Sequence, residues 1–254
     1  MAGAEPRWRE IPRAAEHRPW PLPARPWVMT MSWLDLLFAH WPVPAAALRA
    51  VVPASLELDL FEGEAWLGVV PFWMDNVGAR GLPYLPGVKR FPELNVRTYV
   101  RAAGKPGVFF FSLDATSAFA VAVARATFHL PYFRAKITTG WEEGWVGYAS
   151  ERTHRGAPAG ALRGRYRPLG EVYTARPGTL EHWLTERYCL YAVDRQGRAL
   201  RGEIHHAPWP LRRAEAELEV NTVAEHTGLR LAGAPRHLHF VDRIDVVAWL
   251  PERV

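Results

Sequence analysis

Residues 91–101, FPELNVRTYVR, decide how this chain is read. Successive side chains of a strand point to opposite sides of its sheet. Glu93, Asn95, Arg97, Tyr99 and Arg101 therefore share one face, and Leu94, Val96, Thr98 and Val100 the other. The second face reads as ordinary core. The first carries an acid, an amide, a phenol and two guanidinium groups in a strongly β-forming segment. That pattern fits a solvent-exposed strand, and it equally fits a strand whose polar face lines an enclosed cavity.

The residues on either side extend the unit. A Gly104-Lys105-Pro106-Gly107 turn and the run VFFFSLDA give the clearest hairpin in the chain. Residues 116–128, TSAFAVAVARATF, fit a buried helix with Thr116 or Ser117 at its cap, ended by Pro131. Residues 132–141 and 145–152 then form a further hairpin. Upstream, 29–41 is a long apolar strand broken only by Thr30, Ser32, Asp35 and His40, and 44–51 is a short helix with Pro at its first turn. Residues 56–61 and 65–74 read as a hairpin across Glu62-Gly63. Residues 75–91, rich in Gly and Pro, read as a long loop, either a lid over a site or a plain connection.

Downstream, 153–178 is loop and strand, and 180–187 is a helix. Strands follow at 188–194, 199–205 and 211–220, then a short helix near 222–228 and a closing strand at 237–250. About ten or more strands at this spacing with about three short helices predict a mainly β (α+β) chain, either a barrel or a sandwich. Residues 1–26 carry Pro6, Pro12, Pro19, Pro21, Pro23 and Pro26 and read as an extended arm wrapped over a single domain spanning 27–254.

Composition narrows the function. The chain has 254 residues, 49% of them hydrophobic, enough for a full core. No run of about 18 apolar residues suggests a membrane span, and the charged, Pro-rich N-terminus lacks the apolar region of a signal peptide. The net charge of +5 is nearly all arginine and is spread along the chain without a nucleic-acid motif, so neither nucleic acid nor membrane is expected as a partner. Cys189 is the one cysteine, read as a core thiol of a cytosolic protein. There is no phosphate loop, nucleophile elbow, HExxH or CxxC. His205 and His206 are adjacent on an extended chain and point apart. His237 and His239 have a metal-pair spacing but no evident third ligand, so no metal is expected. Of the 12 Trp, Trp27, Trp41, Trp73 and Trp209 lie beside Pro or turn residues, where rings often wall a pocket.

The phrases LLFAHWPVP, AWLGVVPFWM, FPELNVRTYVR, PGVFFFSLDA, LPYFRAK, LTERYCLY, RGEIHHAPWPL and HFVDRIDVVAW resemble, in order over about residues 26–250, the YqjF-like bacterial family of unknown function. That family is similar in fold to acetoacetate decarboxylase, an antiparallel β-barrel enclosing a cavity. The likeness to the decarboxylase is confined to about residues 91–137. In it a strand carries an active-site glutamate, followed by a hairpin, an Ala-rich helix, an arginine and a Pro-Lys-Lys sequence whose first lysine forms a Schiff base. On this chain the resemblance lays Glu93 on the glutamate, Arg125 on the arginine and Pro131 on the proline. The lysine positions hold Tyr132 and Phe133. Tyrosine cannot form an imine, so Schiff-base decarboxylation is not expected. Lys136, the one nearby amine, stands ~13 Å beyond Tyr132 at ~3.3 Å per residue. It is either a migrated imine lysine or a rim lysine paired with Glu142 or Glu143.

The expected catalytic set is thus Glu93 as acid or base, Tyr132 as proton donor, and Lys136. The expected ligand-binding set is Asn95, Arg97, Tyr99, Arg125, Arg134, His40, Trp73, His205 and Trp209, with Arg97 or Arg134 holding a carboxylate. The expected partner is a small carboxylate-bearing molecule, with no cofactor. Acid/base enzyme, ligand sensor or carrier, and homo-oligomer remain open.

Overall fold

The computed structural model describes residues 7–85 and 87–254. The first six residues of the expected arm, and Pro86 of the expected loop, lie outside the described residues. In chain order the elements are β1 (Met29–Val43), α1 (Ala45–Val51), β2 (Glu57–Leu58), β3 (Ala65–Ala79), β4 (Phe91–Ala102), β5 (Lys105–Ala115), α2 (Ala118–Thr127), β6 (Tyr132–Glu142), β7 (Trp145–Arg152), β8 (Ala161–Tyr173), α3 (Leu180–Thr185), β9 (Cys189–Val193), β10 (Ala199–His205), β11 (Leu211–Asn221), β12 (His237–Ala248) and β13 (Glu252–Arg253). The chain is mainly β, with α1, α2 and α3 as its α-helices among the described residues.

The ladders close on themselves twice. One circuit runs β1, β3, β4, β5, β6, β7, β8, β11, β12 and back to β1. A second leaves β5 through β9 and β10 and rejoins at β12. The strands common to both, β12, β1, β3, β4 and β5, therefore divide two hydrophobic cores. On one side lie Phe38, Val70, Phe72, Tyr99, Phe110 and Trp209, and on the other Leu37, Val69, Leu94, Val96, Tyr148 and Phe240. This is why Phe91 to Val100 is buried at every position. A strand between two cores has no solvent face, so polar residues on it must face an enclosed space.

Two bulges tune the shared wall. Asp35 takes φ 49°, and the β1–β3 register shifts between Leu34 and Ala39, so that Trp33 and Leu36 reach the same core despite their odd spacing. Asn76, at φ 51°, marks the same device in β3. The β5–β6 and β5–β9 pairs are parallel, and α2 is the connection between β5 and β6. Ser117 caps α2 by accepting a hydrogen bond from the Ala120 amide, 3.3 Å.

Several expected elements change. Of the expected hairpin between 56–61 and 65–74 the Glu62-Gly63 turn forms, closed by a single Phe61–Glu64 bridge, but β2 pairs instead with Arg101 and Val100 of β4. The expected loop at 75–91 is shorter, since β3 runs on to Ala79. The helix expected near 222–228 is a single 3-10 turn at Glu225–Thr227. The arm lies against β10 and β12. There Arg18 and Trp20 both reach the Glu203 carboxylate at 2.8 Å, and Trp27 packs on Val247 and Trp249. Among the described residues no helix is long and apolar enough to cross a membrane.

Candidate functional site

A cavity of about 180 Å³ fills the smaller circuit, roofed by α2 and by the segment between β3 and β4. Its walls are Met, Leu, Val, Phe and Trp side chains from β1, β3, β4 and β5, closed by Phe119, Ala120, Val123 and Ala124 of α2. The charged, hydroxyl and amide groups among them are Glu93, Asn95, Arg97, Tyr132, Thr185 and Arg187. Burial of a polar group without partners costs free energy, so each partner matters.

At one end the Tyr132 hydroxyl donates to Glu93 Oε2 at 2.8 Å. The Tyr148 hydroxyl donates to the Glu93 carbonyl, also at 2.8 Å, fixing the backbone below the carboxyl. Burial pushes the Glu93 carboxyl up to about 8; the Tyr132 hydrogen bond opposes this, and the nearby Asp114 charge adds to it. Tyr132 is itself raised well above the ordinary phenol value, by burial first and by Glu93 second. Asp114 is held by Arg152 in a bidentate pair, at 2.8 and 3.1 Å. At neutral pH Glu93 is mostly a protonated acid.

At the other end Arg97 Nη2 donates to the Leu184 carbonyl at 3.2 Å and to Tyr99 Oη at 3.4 Å. The guanidinium lies over the Phe38 ring, 4.9 Å from its centre. The Tyr99 hydroxyl donates to the Leu184 carbonyl at 2.9 Å and meets His40 Nε2 at 2.7 Å. Burial, with Arg97 next in weight, holds the His40 imidazole well below its ordinary value, in the neutral form. Arg187, beside Arg97, is neutralised by Asp59 at 2.6 Å. Arg97 meets no carboxylate among the described residues. The cavity therefore holds one unpaired positive group and one acid made largely neutral by its surroundings.

The structure brings Glu93, Asn95, Arg97, Tyr132 and Trp209 to the cavity wall, with Tyr99 and His40 directly behind Arg97. It places the others elsewhere. Lys136 is exposed on the outer side of β6, opposite Glu151 of β7 rather than beside Glu142 or Glu143. Among the described residues none of Lys89, Lys105 and Lys136 lines the cavity. Arg134 is exposed in a separate surface groove shared with Arg125, whose Nη1 donates to the Tyr132 carbonyl at 2.7 Å. Trp73 is half-buried under Arg90, outside the cavity. His205 is buried beneath the arm, its Nε2 3.0 Å from the Ile11 carbonyl. Lys136 and Arg134 fall outside because β6 presents them outward, and His205 because β10 turns it to the arm; Trp73 alternates on β3 with Phe72 and Met74, which take the cavity face, and Arg125 of α2 faces the surface groove. Among the described residues no group of three metal-ligating side chains converges.

Arg187, Thr185 and Trp33 line the cavity without having been foreseen. Arg187 follows the exposed-looking Glu186 in LTERYCLY, and only the α3–β9 junction turns it inward. Trp33 carries a signal in hindsight, since Asp35 is the polar break that rotates it onto the cavity face.

Comparison with known proteins agrees with this architecture. The chain is 46% identical over 223 residues to the Uncharacterized protein YqjF of Bacillus subtilis (strain 168), covering 88% of this chain and 91% of that protein. Among solved structures it resembles the enduracididine biosynthesis enzyme MppR complexed with pyruvate, at TM-score 0.62 and 14% identity over 92% of this chain and 93% of that one. It also resembles an acetoacetate decarboxylase-like enzyme from Sphingomonas wittichii RW1, at TM-score 0.59 and 14% identity over 94% and 97% of the two chains. A third is the acetoacetate decarboxylase of Legionella pneumophila, at TM-score 0.54 and 15% identity over 93% of each. The DUF2071 profile, described as an uncharacterized conserved protein, matches residues 30–245. With matches of this extent in both comparisons of sequence, the chain belongs to the DUF2071 family of uncharacterized conserved proteins.

Proposed function

We propose that this protein binds a small carboxylate-bearing molecule in the β1–β3–β4–β5 cavity and performs proton transfer on it with Glu93 and Tyr132. The observation that carries the reading is the Glu93–Tyr132 pair, 2.8 Å apart in an apolar enclosure, with the carboxyl pushed up to about 8. A carboxyl tuned near the working pH can give a proton at one step and take it back at the next. Arg97, unpaired and partly held by the Leu184 carbonyl, supplies the charge that an anionic ligand would neutralise. Tyr132 stands where the resemblance puts a nucleophilic lysine, and among the described residues no lysine lines the cavity, so the chemistry proposed is acid/base transfer rather than imine formation. A cytosolic setting, and assembly into a homo-oligomer, belong to the same proposal; gel filtration tests the second.

Hydrogen exchange provides the test. In D2O, NMR of a bound carboxylate should show deuterium entering at an acidic C–H position with wild-type protein. Glu93→Gln should abolish the exchange while keeping the binding. A second reading, a non-catalytic carrier, is favoured by the commitment of the Tyr132 hydroxyl to Glu93. Tight binding without exchange in any bound carboxylate would establish that reading.

A further inference from the structure

The two ends of the cavity are far apart, and apart from Asn95 what lines the wall between them is largely aromatic. Glu93 and Arg97 stand four residues apart on one strand, ~13 Å along its axis at ~3.3 Å per residue. Arg97 does not reach back toward Glu93. Its Nη2 is held 3.4 Å from the Tyr99 hydroxyl and 3.2 Å from the Leu184 carbonyl, on the side away from the acid. Glu93 in turn is held by Tyr132. Taking the backbone separation as the measure, a ligand touching both groups spans on the order of 7 Å, after ~3 Å is allowed for a hydrogen bond at each end.

Between the ends runs a continuous row of rings. Phe38, under the Arg97 guanidinium, meets Trp209 edge-on with centroids 4.8 Å apart. Trp209 stacks on Trp33 at 5.7 Å, and Trp33 meets Phe72 edge-on at 6.0 Å. Phe72 is the direct β3 partner of Glu93 in the register. The row thus begins at the guanidinium and ends at the acid. Facing it, α2 contributes only apolar side chains, and Phe119 and Val123 are 56% and 41% exposed at the rim. A three- or four-carbon acid seated on Arg97 would leave this row unfilled and would not reach Glu93.

We infer that the ligand is an elongated amphipathic carboxylic acid, with an aryl-alkyl or medium-chain middle, its carboxylate on Arg97 and, at the far end beside Glu93, an oxo group whose neighbouring C–H is acidic enough to exchange its proton with the Glu93 carboxyl. Short oxo-acids are excluded as the matching class by the span. This rests on the proposed function for the carboxylate anchor and goes beyond it in fixing length and polarity. Each methylene buried along the row should tighten binding roughly fourfold.

Intrinsic tryptophan fluorescence of the full-length protein, in which Trp33 and Trp209 of the 12 Trp line the cavity, reads the test, titrated with pyruvate, acetoacetate, 3-phenylpropionate, octanoate and octanamide. Expected is binding of 3-phenylpropionate and octanoate at least tenfold tighter than of pyruvate, and of octanoate at least tenfold tighter than of octanamide. Arg97→Gln, checked for folding by circular dichroism beside Arg97→Lys, should erase the octanoate–octanamide difference. Ala124→Leu, which narrows the apolar middle from a helical position, should weaken octanoate and spare pyruvate. Pyruvate bound as tightly as octanoate would overturn the length assignment while leaving a carboxylate site. Octanamide bound as tightly as octanoate by wild type would overturn the carboxylate anchor itself. Failure of all five to bind would overturn both.

Discussion

Glu93 concentrates the physics of the cavity in one side chain. A carboxyl whose folded value is raised binds its proton more tightly folded than unfolded. Its effect on stability is therefore absent at low pH and becomes destabilising as pH rises from the ordinary value of 4.5 through about 8. Glu93→Gln, which cannot ionise, should melt increasingly above wild type across that window, by up to ~5 kcal/mol at pH 9, as read by thermal melts at stepped pH. Equal pH dependence in the two proteins would show that Glu93 ionises freely. Tyr132→Phe should move the same window further up, because the Tyr132 hydrogen bond is what lowers Glu93. The pH profile of the exchange reaction should carry an inflection near 8 in wild type and a higher one in Tyr132→Phe.

At the scale of elements, β5 is the strand on which both circuits turn. Its Gly107 faces β9, where an added Cβ would stand 2.7 Å from the Cys189 carbonyl and 2.8 Å from the Tyr191 ring. Backbone cannot step aside at that distance, so Gly107→Ala should separate the β5–β9 ladder and destabilise by about 1–3 kcal/mol, measured by urea unfolding. A neutral result would mean that the parallel pair contributes little. β4 shows how an element can mislead when read alone. Its alternation was legible, and so was the oddness of Glu93, Asn95 and Arg97 on one face. That the face was enclosed was not, since solvent and cavity present the same sequence pattern. The segment 75–91 failed differently: Gly78 and Asn76 look like loop residues, but pairing with β1 holds 75–79 in β3, and the Val77 amide donates to the Lys89 carbonyl.

Across the molecule, the arm is fastened by charge. Arg18 and Glu203 form a pair almost without solvent contact, with Lys105 2.7 Å from the other Glu203 oxygen. Removing one partner of a buried pair leaves the other charge unsolvated, so Arg18→Ala should cost about 3–5 kcal/mol, reduced in part by Lys105. Denaturant melts measure this; Arg18→Ala paired with Glu203→Gln should recover part of the loss. By itself the sequence determined the β-rich class, most strand positions, the single thiol, the polar face of β4 and the absence of a lysine at Tyr132, because local propensity, alternation and residue identity are properties of the chain alone. Only tertiary structure decided that two circuits share one wall, that Lys136, Arg134, Arg125, Trp73 and His205 lie outside the cavity while Arg187 and Trp33 enter it, and that Arg97 meets no carboxylate among the described residues. Burial and partnership are set by strands distant in sequence, and a side chain's neighbours, not its identity, give Glu93 its proton.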